Sequence, residues 1–162
     1  MSGTYGELLR IKHYREQLAT QALRREQQCF DQQARIVRQV RDEAQSSHAH
    51  RLHEEQRRFE DIRDRLVSIE TIEDMNRHVA RLREQEALLN QRVLDEEKQL
   101  QRARQALDAA RERQAASVRE CEKFAQFVAV QRAIEEGEQM RREEQELEEI
   151  ASAVHQMRRE WT

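Results

Sequence analysis

The chain has 162 residues, a net charge of −3 with 38% of its residues charged, and only 4% aromatics. Leu, Ile, Val and Phe together number 33, too few for the thick core behind a walled catalytic pocket, and no apolar run reaches the ~18 residues of a membrane-crossing helix. The basic residues, 26 of 29 of them arginine, alternate with Glu and Gln instead of forming the stripe of a nucleic-acid surface.

Ala, Glu, Gln, Leu and Arg dominate, all strong helix formers, and the chain has no proline and only three glycines, Gly3, Gly6 and Gly137. An all-α protein of long amphipathic helices with a thin apolar seam is expected. The N-terminus lacks an apolar signal core. Cys29 and Cys121 are the only cysteines and do not make a disulfide scaffold. Together these features point to a cytosolic protein.

Helix 1 is predicted over about 6–67. Its apolar residues (Leu8, Ile11, Tyr14, Leu18 and onward to Leu52, Phe59 and Ile62) recur at helical spacing with drift, read as local change in the supercoil. The weakest helical stretch is "QSSHAH" at 45–50.

A turn is predicted at 68–71. "Val67-Ser68-Ile69" is a poor helix interior, and Thr71 followed by Glu73 and Asp74 reads as a helix start. The alternative is unbroken helices pairing as a parallel dimer.

Helix 2 is predicted over about 72–159. Alternating steps of three and four from Ile72, Met75, Val79 and Leu82 to Gln131 meet apolar residues at thirteen of eighteen positions. That is a sustained heptad seam. With the turn near 70, residue i lies opposite 140 − i, so Cys121 would face about residue 19 and not Cys29. The charges agree with an antiparallel hairpin: 1–25 carry five Arg/Lys against two Glu, and 135–149 carry eight Glu against two Arg.

The motifs mostly resolve to bland readings. In "HAHRLH" (48–53) only His50 and His53 share a face, and no metal site is assigned. Cys121 lies on the seam as a small buried hydrophobe. "EEQELEE" (143–149) is either a docking strip or a solvated face. No catalytic constellation or cofactor loop is present. One segment exceeds what a two-helix rod needs. "KFAQFVAVQRAI" (123–134) carries Phe127, Val130 and Ile134 on a second stripe, and "LLRIKHY" (8–14) adds Leu8, Leu9 and Ile11. Surplus apolar surface marks a partner site, so these six are the candidate partner-binding residues.

"LLRIKHYREQLA", "RLHEEQRRF" (51–59), "VARLREQEALL" (79–89), "ECEKFAQFV" (120–128) and "EEQELEE" occur in an order that resembles the YscO/FliJ family of type III secretion and flagellar export, closer to its YscO, virulence-secretion branch. The resemblance implies a long antiparallel two-helix coiled-coil hairpin. It implies a non-enzymatic, monomeric stalk in the bacterial cytoplasm, peripheral to the secretion apparatus. Its implied partners are the hexameric secretion ATPase, the cytoplasmic part of the export gate and export chaperones. The competing reading is a dimeric structural spacer or tether with no ATPase partner.

Overall fold

The computed structural model describes residues 2–160. Two helices account for nearly all of them, α1 over Ser2–Ile62 and α2 over Ile69–Glu160. They run antiparallel, and the protein is an all-α helical hairpin. Two compact units are distinguishable: one is Gln21–Glu112, and the other joins Met1–Thr20 with Arg113–Thr162.

The unit Gln21–Glu112 contains the turn, which comes earlier than predicted. Helix α1 ends at Ile62, and α2 has begun by Ile69. The Arg63 N–H still reaches the Phe59 carbonyl at 3.1 Å. Asp64 then takes a φ of 60°, the left-handed conformation that ends many helices. Asp tolerates it better than most side chains, so no glycine flags the stop. The N-cap of α2 is Ser68, not Thr71. The Ser68 Oγ accepts the Thr71 N–H at 3.2 Å and sits 2.9 Å from the Thr71 hydroxyl. Thr71 is thus the third helical residue, and Glu70 supplies first-turn negative charge. Leu66, within the turn, and Ile69, the first residue of α2, are both exposed.

The seam of α2 is as read. With Val79, Glu86 and Val93 at heptad position a, and Leu82, Leu89 and Glu96 at d, every predicted seam residue from Met75 to Gln131 is buried or half-buried; only Ile72, at 39% exposure, is wet. The α1 seam differs from expectation. It does not drift: from Tyr5 to Arg58 it keeps strict steps of four and three, and every position is buried or half-buried. Many of those positions are polar, among them Lys12, Glu16, Glu26, Gln33, Arg51 and Glu54. Long polar side chains can lay their stems on the seam and turn their heads out. The apolar Leu8, Ile11, Leu18, Leu52 and Phe59 lie off it and are exposed.

Val37, Val40, Ala44, Leu107 and Ala110 form the dry centre of the Gln21–Glu112 unit. Nearer the turn the layers become ionic. Glu86, at an a position, receives Arg51, and the His48 Nδ1 lies 2.6 Å from its other oxygen. Arg51 also donates to Glu55 at 2.9 Å, and Arg83 reaches Glu55 at 3.0 Å. These arginines hold the Glu55 carboxyl below its ordinary value, Arg83 first; Arg51 and then His48 do the same for Glu86. The flanking positions meet like with like. Arg41–Glu97 and Arg83–Glu55 are e–e pairs, and Arg92–Glu43 is a g–g pair.

Candidate partner-binding surface

In the unit formed by Met1–Thr20 and Arg113–Thr162, α1 lies against α2 with Tyr5 beside Phe127, Lys12 beside Glu120, and His13 beside Cys121. These pairs add to 132–134, not 140. The offset follows from the earlier turn, and it places Cys121 opposite His13 instead of residue 19.

The heptad phase decides which apolar residues share a side. Leu8 and Phe127 both hold g positions, as does Ile134; Ile11 and Val130 hold the neighbouring c positions. In an antiparallel pair g faces g, so the two stripes fall on one flank. All five are exposed, from 42% for Leu8 to 56% for Val130. Leu9 differs from the other five predicted site residues: it is half-buried at an a position of the seam. Ile134 lies beyond the point where α1 offers a described residue opposite it.

Aromatic contacts hold this flank in shape. The Tyr5 ring meets Phe127 edge-on, with centroids 5.5 Å apart and planes at 87°, a favoured aromatic geometry. Phe124 lies 5.9 Å from Phe127. The Lys12 ammonium sits 5.6 Å over the Phe124 ring and 3.4 Å from the Glu120 carboxylate. Lys12, Glu120, Lys123, Phe124 and Phe127 line a shallow depression. The flank therefore offers an apolar face with a charged border, the usual composition of a protein-binding patch.

Two features escaped the sequence reading. Tyr5 braces Phe127, which only the true register reveals. Beyond residue 139, Met140, Leu147, Ile150, Val154 and Met157 form exposed apolar positions at heptad spacing along the acidic tail. Their spacing was legible, but the glutamates around them dominated the composition.

The described helices cannot cross a membrane, as none is long and apolar enough. Fold and surface together define the chain's class, an all-α helical hairpin with an exposed apolar flank. Comparison with known proteins makes the class particular. The family model for Type III secretion protein YscO matches residues 6–153. The chain belongs to the YscO family, structural components of type III secretion. It is similar to the crystal structure of Type III secretion protein YscO from Vibrio parahaemolyticus, with a TM-score of 0.82 and 28% identity, covering 91% of this chain and 93% of that one. No curated protein matches.

Proposed function

We propose that the chain is a non-enzymatic stalk that couples the hexameric secretion ATPase to the export gate of a type III secretion apparatus. It works as a monomer in the bacterial cytoplasm, at the inner-membrane face of the apparatus. Membership of the YscO family supports the setting. The observation that carries the reading is the exposed apolar flank of Leu8, Ile11, Phe127, Val130 and Ile134. Leu9 supports it from the seam by seating α1.

An apolar flank of this kind suits insertion into the pore of a protein ring. There it desolvates against the ring, and the stalk breaks the ring's symmetry and promotes assembly or turnover without doing chemistry. The export gate and export chaperones are further partners of the same account. The dimeric tether is the competing reading, and it predicts twice the chain mass in light scattering.

The test is capture of the cognate ATPase, and separately of the export-gate cytoplasmic domain, by the wild-type chain and by a Leu8→Asp, Ile11→Asp double variant. Both substitutions fall off the seam and leave helicity intact. Capture of the ATPase by wild type and its loss in the variant support the proposal. Equal capture by both removes this flank from the site.

A further inference from the structure

On the opposite flank of the same unit, three side chains of different chemistry converge. His13 and Glu16 stand three residues apart on α1, and Cys121 comes from α2. Their ligand atoms all lie within 4.8 Å of one another. The Cys121 Sγ is 3.2 Å from the His13 Nδ1, which is 3.7 Å from a Glu16 carboxylate oxygen. We propose that His13, Glu16 and Cys121 form a three-ligand site for a zinc-class transition-metal ion that clamps α1 to α2.

The spacing fits the ion. Zinc bond lengths at tetrahedral angles set nitrogen and sulfur ligands about 3.5 Å apart, and nitrogen and oxygen ligands about 3.3 Å apart. The sulfur–nitrogen and nitrogen–oxygen separations, 3.2 and 3.7 Å, each lie within a few tenths of an ångström of these values. One thiolate, one imidazole and one carboxylate form a donor set that selects zinc-like ions over magnesium or calcium. With three protein ligands the fourth position is open to water, and the site has a door: His13 is exposed and Glu16 half-buried, while Cys121 closes the inner side.

A carboxylate at a seam position is costly without company. The polar company of Glu16 is His13 and the Cys121 thiol. Burial first, and then neighbouring Glu16, push the Cys121 thiol above its ordinary value. Metal entry breaks the S–H bond, forms a sulfur–metal bond and releases the proton to solvent; no electron is transferred. The neighbouring Lys12 ammonium is engaged by Glu120 at 3.4 Å, which blunts its repulsion of the ion. The site lies on the seam and opens on the e side through His13, whereas Phe127 holds a g position, so its test is independent of ATPase binding.

The experiment is titration of Co²⁺ into the metal-free, reduced full-length chain, followed by the near-ultraviolet thiolate-to-cobalt absorption band and by displacement with Zn²⁺. The band should saturate at one ion per chain. It should survive Cys29→Ser and disappear in Cys121→Ala. His13→Ala and Glu16→Gln, at the accessible edge, should keep wild-type helicity and lose saturable binding. Absence of the band in the wild type overturns the proposal. So does a band that depends on Cys29, or one that His13→Ala and Glu16→Gln leave unchanged.

Discussion

Gln33 grips Glu96 twice across the helix pair. Its side-chain amide donates to the Glu96 carboxylate at 2.7 Å and to the Glu96 backbone carbonyl at 3.2 Å. Both residues hold d positions, so the contact lies on the seam and fixes register where apolar side chains alone would allow a slip of one heptad. A chain carrying Gln33→Cys and Glu96→Cys, with Cys29→Ser and Cys121→Ala, should crosslink within one molecule under mild oxidation or with a short bismaleimide. A product of monomer mass is expected on a denaturing gel. Crosslinks confined to dimers would show that the helices pair between chains.

Leu107 is 2% exposed and sits at an a position beside Ala110. Leu107→Ala should cost ~2–4 kcal/mol, since the cavity it leaves cannot fully collapse. Leu147→Ala, at an exposed position of the tail, should stay within about 0.5 kcal/mol of wild type. Denaturant unfolding of the two variants measures both. Equal effects would contradict the assigned seam.

The turn makes a prediction of opposite sign. Asp64→Gly should stabilise by ~0.5–1 kcal/mol, because glycine adopts the left-handed conformation without the steric penalty. Ser68→Ala should cost about 1 kcal/mol by removing the cap. If Asp64→Gly destabilised the chain and Ser68→Ala were silent, the turn would lie elsewhere.

Acid should weaken the ionic layers. The Glu55 and Glu86 carboxyls are held below the ordinary value of 4.5 by their arginines and His48. A carboxyl with a lower pKa folded than unfolded contributes stability above its unfolded pKa, and that contribution fades as pH falls through the folded pKa. The thermal midpoint should therefore hold steady from pH 7 to 5 with respect to these groups and decline below about 4.5. In Glu86→Gln the neutral midpoint should be lower and the acid decline shallower. An identical acid decline in the variant would remove Glu86 from the linkage.

Helix α2 was legible in the sequence because its seam from Met75 to Val128 is mostly apolar, with Glu86, Glu96, Gln114 and Ser117 the exceptions. Helix α1 was not, because its heptads run through Lys12, Glu16, Gln33, Arg51 and Glu54 while Leu18, Leu52 and Phe59 point away. A search for apolar spacing follows the wrong residues there and reads drift. The turn was displaced for a similar reason. Asp64 does the work of a glycine, and Thr71 looked like a cap although Ser68 holds that role. For the binding surface, the two surplus stripes were visible as spacing. Their meeting on one flank was not, because that depends on the heptad phase of α1. The cluster of His13, Glu16 and Cys121 depends on the same register and so was invisible to a pairing rule centred on residue 70.

The proposed engagement of the secretion ATPase by the flank around Phe127 makes turnover sensitive to a charge placed there. The most direct measurement is steady-state ATP turnover by the cognate ATPase with wild-type chain and with Phe127→Asp, with helicity checked by circular dichroism. A charge in a desolvated apolar contact costs several kcal/mol without a partner. Wild type should therefore stimulate turnover, and Phe127→Asp should fold normally and lose most of that stimulation. Equal stimulation by the folded variant, repeated with Val130→Asp and Ile134→Asp, would exclude this flank from the ATPase contact.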